Sequence, residues 1–281
     1  MICSLAACGG DGKKETTKAS ETKATEAAKE ETKAPEKDTK AAGTTAAETE
    51  AAETKGGESD GKLIMATEAG FAPYEYTEDG STVIGVDVDI ANEIAKAMGK
   101  ELEIQNMAFD SALLAVQQGK ADFAAAGISV TPDREAVMDF SIEYATSRQV
   151  VVVNKEAKRV ESVDALTADN VVGVQGGTVA DFYCQDDLGT KDLKQYGKFM
   201  EAAMDLKNDR IDCVIMDALP AEEMVKANDD LEILEGEVLT DKYAIAVQKG
   251  NTEMLEQINE ILQKLMDEGK IEEFTINHTT K

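Results

Sequence analysis

From Lys62 onward the chain alternates short apolar runs with stretches whose apolar residues recur every three or four positions. Leu63-Ile64-Met65-Ala66 predicts a buried strand; Ile90, Ile94 and Met98, flanked by Ala91 and Ala95, predict a helix that Gly99 ends. Leu102-Glu103-Ile104 alternates like a strand. Asp110 stands where it can cap a helix carrying Leu113, Leu114 and Val116, which Gly119 stops, and Phe123 to Ile128 predicts a third strand. Strand, helix, strand, helix, strand is the signature of a parallel sheet with crossover helices.

After an extended stretch the alternation restarts. Phe140 to Tyr144 and Val150 to Val153 predict that stretch, with the four valines buried on both faces. Val171 to Val174 reads as a strand, Gln175-Gly176-Gly177-Thr178 opens a helix through Phe182 and Tyr183, and Leu193 to Tyr196 is a short strand. A helix over Phe199 to Leu206 and a strand from Ile211 to Met216, ending at Asp217, complete the second unit. A helix from about Pro220 to Lys226 follows, with strands near Leu231 to Leu234 and Tyr243 to Val247. Thr252 is placed to cap a last long helix with Leu255, Ile258, Leu262 and Leu265 on one face. Two α/β units in sequence, joined by extended segments, predict two lobes with a cleft between them, where small-molecule sites form.

The candidate chemistry sits at strand ends. Ala126-Gly127-Ile128-Ser129-Val130-Thr131-Pro132-Asp133-Arg134 closes an apolar run with hydroxyls and a guanidinium. Such a set suits a carboxylate, because Arg offers a planar fork of donors and hydroxyls add single bonds. Ligands of open α/β sheets bind off the carboxyl ends of strands. The same residues would also make an ordinary strand-to-helix turn with a Ser/Thr cap. Gln175 to Thr178 places glycines and a helix start after a strand, which favours an anion, or simply a Thr cap. It lacks the P-loop lysine and GxGxxG spacing, so a nucleotide is not expected. Asp217 ends the second unit's third strand and suits an ammonium group, or another helix cap. An anion site and a cation site together suit a zwitterion. Phe71 can stack on a ligand side chain or pack against Pro73, and Glu68 can face a polar or cationic group or stay in the core or on the surface.

Composition narrows the choice. The net charge of −27 would repel nucleic-acid phosphates and anionic lipid, so no nucleic-acid partner is expected. The only histidine, His278, lies near a carboxyl terminus expected to fray, which leaves no His-based catalytic triad or His-rich metal site. No catalytic residue, metal or cofactor is expected. Cys184 and Cys213 could form one bridge; they lack CxxC spacing for metal or redox work and read as buried free thiols. Residues 9–60 hold Ala, Glu, Lys, Thr and Gly with one proline and no aromatic or large aliphatic residue, so a disordered tether is expected. As a coil it would span roughly 40 Å root-mean-square. The tether carries nine lysines and thirteen acids, a net −4, which leaves −23 on the folded body. Ahead of it, Leu5-Ala6-Ala7-Cys8 is similar to the lipobox of a bacterial lipoprotein signal, with most of the preceding apolar region missing. Either the start is truncated or Cys8 is incidental; the tether that follows favours the first, so residues 1–8 read as a signal remnant and Cys8 as a lipidation site.

Several motifs in order carry a resemblance. Thr67 to Tyr76, Gly85-Val86-Asp87-Val88-Asp89-Ile90-Ala91, Gly127 to Arg134, Asp139-Phe140-Ser141 and Gln175 to Thr178 closely resemble the bacterial extracellular solute-binding proteins of family 3, the polar amino acid receptors of ABC importers. The resemblance runs from about Lys62 to the carboxyl end. It implies the type II periplasmic-binding-protein fold: two α/β lobes, residues 61–147 with 243–281 and residues 148–242, joined by crossing hinge strands near Ala145 to Arg148 and Asp241 to Tyr243. It implies that Arg134 grips an α-carboxylate with Ser129 and the Thr178 region, and that Asp217 takes the α-ammonium with the Gly127 carbonyl. Phe71 and Phe109 would wall the ligand side chain, with Glu68 near its end. Ala126-Gly127 is similar to the glutamine type, whereas Gln175 stands where that type has lysine. Glu68 favours a cationic or polar side chain. The implied protein is a monomeric receptor, lipid-anchored outside the cell membrane, that hands a free amino acid to permease subunits. A dehydratase for prephenate-like acids on the same scaffold, or a sensory module, are the alternatives.

Overall fold

The structure, a computed structural model, describes residues 61–279; the Cys8 lipobox and the 9–60 tether lie outside the described residues. The first unit runs β1 (Lys62–Thr67), the hairpin β2 (Tyr76–Thr77) and β3 (Val83–Ile84), α1 (Val86–Ala97), β4 (Glu101–Asn106), α2 (Phe109–Gln117), β5 (Phe123–Ala124), α3 (Pro132–Val137) and β6 (Met138–Phe140). The second runs β7 (Ala145–Asn154), β8 (Val171–Gln175), α4 (Val179–Phe182), β9 (Asp192–Tyr196), α5 (Phe199–Lys207), β10 (Cys213–Asp217), α6 (Ala218–Lys226), β11 (Leu231–Ile233) and β12 (Leu239–Tyr243). The chain then returns to the first sheet with β13 (Ala246–Gln248) and ends in α7 (Thr252–Asp267) and α8 (Lys270–Thr279).

The two α/β units form two sheets. One has the order β4-β1-β5-β13-β6, with β1 parallel to β4 and β5, and β13 antiparallel to its neighbours. The other has the order β11-β7-β10-β8-β9, with β8, β9 and β10 parallel and β7 antiparallel to β10. Strands β7 and β12 pair antiparallel, Ala145 opposite Tyr243 and Ser147 opposite Asp241, and carry the chain between the two sheets. The run Val150 to Val153 is fully packed: Val150 and Val152 join one apolar cluster, Val151 and Val153 the cluster on the opposite face. Because successive strand residues point to opposite faces, a valine run is what a doubly covered strand requires.

Helix α7 closes the first unit. Ile258, Leu262 and Leu265 lie on its buried stripe, each contributing about 1.5–3 kcal/mol on leaving water. Four local expectations are corrected. Asp110 lies inside the first turn of α2, whose N-cap is Ala108, so the carboxylate meets the positive helix end without capping it. Asn251, not Thr252, caps α7 through a bond from the Met254 amide. The strand expected over Phe123 to Ile128 shortens to Phe123–Ala124, because Gly127 turns the chain with φ 53°. The carboxyl end is an ordered helix, α8, in which His278 contacts the Tyr76 hydroxyl at 3.1 Å and Asp89 at 3.0 Å. Cys184 and Cys213 are buried and free.

Candidate ligand-binding cleft

The parallel strands of both sheets point their carboxyl ends at one cleft. Glu68 follows β1, the Gly127 turn follows β5, Gln175 ends β8 and Asp217 ends β10. All nine residues singled out from the sequence, Glu68, Phe71, Phe109, Gly127, Ser129, Arg134, Gln175, Thr178 and Asp217, line it together, with Glu75, Ala126 and Val179 beside them.

Arg134 is held rigidly. Pro132 and the Thr131 hydroxyl start α3, and that hydroxyl accepts from the Arg134 amide at 3.3 Å. The guanidinium donates to the Ser129 carbonyl at 2.6 Å and, across the cleft, to the Gly177 carbonyl at 2.9 Å. Its carbon lies 5.3 Å from the Phe109 ring centroid, a cation–π arrangement. Burial pushes its pKa down to about 10, which leaves it charged at neutral pH. The Ser129 hydroxyl donates to Asp241.

Opposite stands Asp217. Ser147 and Gln149 each donate to its Oδ1 at 2.7 Å, and the Tyr243 hydroxyl donates to the same oxygen. Oδ2 takes none of these bonds. Burial raises this carboxyl; the same burial, with repulsion from Asp217, pushes Asp241 up to about 6.

The aromatic wall is Phe71. It stacks on Tyr74 and, across the cleft, on Phe199, both at 5.9 Å between centroids. A Cβ at Gly127 would stand 2.6 Å from the Phe71 ring, so glycine there allows the ring's close approach as well as the positive φ. Gln175 bonds Glu68 at 3.2 Å and the Gly197 carbonyl at 3.0 Å, and Lys198 lies 3.8 Å from Glu68. Burial raises the Glu68 carboxyl, against the opposing pull of Gln175 and Lys198. The Thr178 hydroxyl caps α4 through the Asp181 amide while donating to the Gln175 carbonyl. The bonds from Arg134 and Gln175 and the Phe71–Phe199 stack join the two units, so the cleft is closed.

Sequence reasoning missed Glu75, Asp87 and Asp241. Glu75 and Asp87 lie within the motifs that carry the resemblance, yet their burial, 1% and 0% exposed, is visible only in the fold. Among the described residues no cluster of side chains could hold a metal ion, and no helix is long and apolar enough to cross a membrane.

Two α/β lobes, crossing strands and a closed polar cleft define a solute-binding protein of the periplasmic-binding-protein fold. Residues 63–279 match the bacterial extracellular solute-binding proteins, family 3, and the chain belongs to that family. It is 33% identical over 224 residues to the arginine-binding extracellular protein ArtP of Bacillus subtilis, covering 75% of this chain and 83% of that one. It is 33% identical over 224 residues to a probable histidine-binding protein of Neisseria gonorrhoeae, covering 77% and 82%. Among solved structures it is similar to the amino acid ABC transporter substrate-binding protein AbpA of Streptococcus pneumoniae bound to L-arginine, with a TM-score of 0.74, 34% identity, and coverage of 78% of this chain and 95% of that one.

Proposed function

We propose that this chain captures an L-amino acid with a cationic side chain, arginine foremost, between its closing lobes and delivers it unchanged to an ABC permease. One observation carries the reading: a single closed cleft holds Arg134, Asp217 and Glu68, one fixed cation and two buried carboxylates. A dibasic amino acid carries the complementary charges. Arg134, with Ser129 and Thr178, takes the α-carboxylate; Asp217, with the Gly127 carbonyl, takes the α-ammonium; Phe71 and Phe109 wall the aliphatic stem; Glu68 and Gln175 meet the cationic end. Relatives named for arginine and histidine support this choice. In this reading residues 61–147 with 243–281 form one lobe and 148–242 the other, and closure is a population shift driven by contacts to both. The protein works as a monomer outside the cell membrane, tethered through Cys8.

Thermal unfolding with arginine, lysine, histidine, glutamine and cystine tests the reading. At a hundred times its dissociation constant, a ligand adds about 2.7 kcal/mol of stability. Arginine is expected to raise the melting temperature most, and no shift with any of the five would overturn the proposal.

A further inference from the structure

The turn from β9 into α5 brings three consecutive residues to the wall that carries Glu68 and Phe71. The Gly197 carbonyl accepts from the Gln175 side-chain amide at 3.0 Å, and the same amide donates to Glu68 Oε2 at 3.2 Å. Phe199, 3% exposed, stacks on the Phe71 ring. Lys198 stands between these two anchors, so its backbone is held against that wall from both sides. Its Nζ lies 3.8 Å from Glu68 Oε1, with the lysine side chain 55% exposed and the glutamate side chain 3%.

Helix geometry alone disfavours a lysine at this position. Lys198 is the N-cap of α5 and makes no side-chain capping bond. A helix start presents unpaired N–H groups and a positive partial charge, which suit Ser, Asp or Asn and repel an ammonium. Glu68, across the cleft, supplies the compensating charge. The compensation is one of charge only, because 3.8 Å exceeds hydrogen-bond distance and Oε1 is buried without a hydrogen bond. The pair is therefore loose: a long, half-exposed stem lets the ammonium withdraw into water. A planar guanidinium can give Oε1 the hydrogen bond that Lys198 does not.

We propose that Lys198 is a specificity-determining residue, a tethered cation that competes with a cationic ligand side chain for Glu68. The proposal rests on the receptor reading above, in which Glu68 meets that side chain, and adds the competitor on the opposite wall. A ligand with a charged end must push the ammonium outward, and two cations beside one carboxylate repel each other. A ligand with a neutral polar end leaves the Lys198–Glu68 pair in place. Lys198 thus narrows the preference for cationic over neutral ligands, while its pairing with Glu68 favours the closed cleft with either.

L-Arginine and L-citrulline separate these effects, because citrulline replaces the guanidinium with an uncharged urea of nearly the same shape. Isothermal titration of each into the full-length protein gives the ratio of their dissociation constants, with citrulline measured by displacement of arginine where its own heat is small. Lys198→Met keeps the stem without the charge and is expected to raise the preference for arginine by roughly three- to tenfold. Lys198→Arg keeps the charge and should hold the ratio near that of the wild type. In a Glu68→Gln background Lys198→Met should no longer change the ratio, since the anion under competition is gone. Loss of packing or of closure would weaken both ligands alike and leave the ratio where it was. An unchanged or lower preference for arginine in Lys198→Met, or the same gain without Glu68, overturns this proposal and leaves the receptor reading standing. Failure of the wild type to bind any amino acid overturns the receptor reading with it.

Discussion

At the scale of the residue, Arg134 organises the cleft. The guanidinium bonds carbonyls from both units and stacks on Phe109, so its charge is buried and directed. Arg134→Ala should weaken arginine binding by about 2–5 kcal/mol, on the order of thirty-fold to several-thousand-fold, as truncating one partner of a buried charge pair does. Calorimetry with a variant shown to be folded checks this, and an unchanged dissociation constant would remove Arg134 from the site. Gly127 and Asp217 act by geometry too. Glycine lets Phe71 close over the turn, while three donors gathered on one oxygen of Asp217 orient the other. The residue types were legible in the sequence; the oxygen each donor chooses was not, since it depends on side chains as far apart in sequence as Ser147 and Asp217.

At the scale of the element, periodicity predicted α1, α2, α5 and α7 and the buried valine strand, because each buries a regular face. Short and charge-rich elements escaped it. Strand β12 has one fully buried residue, Tyr243, and is held by pairing to β7. Helix α8 buries only Ile271, and His278 joins it to Tyr76 of β2 and Asp89 of α1. A tie of this kind contributes about 0.5–1.5 kcal/mol per hydrogen bond. His278→Ala should therefore lower stability by about 1–2 kcal/mol in urea unfolding and speed amide exchange over residues 270–279. Unchanged exchange there would show that apolar packing alone holds the helix.

At the scale of the whole molecule, buried carboxyls set the response to pH. Glu68, Glu75, Asp87, Asp217 and Asp241 all have folded pKa values raised by burial, so the native state holds more protons than the unfolded chain between about pH 4 and 6. Stability then falls as pH rises through that window. Asp87 alone, raised from 3.8 to about 6, accounts for about 3 kcal/mol. Below about pH 4 the opposite class takes over: Asp79, Glu103, Asp139 and Asp205 are held low by hydrogen bonds and ion pairs, and their contribution is lost on protonation. The ligand-free protein should be more stable near pH 5 than at pH 7.5. Denaturant midpoints at the two values check this; a higher midpoint at pH 7.5 would mean the buried carboxyls ionise without cost.

The two α/β units, the strand ends that carry the chemistry and the family are all legible in the residue pattern. These are local in the chain: a period of two or near four, a hydroxyl before a helix, an arginine at fixed spacing. Which groups meet depends on the folded chain. It brings Arg134 to Gly177, Ser129 to Asp241 and Tyr144 to Asp87, contacts made across lobes, hinge and helix. It also decided protonation, because a carboxylate's pKa follows its burial and neighbours, and sequence position records neither.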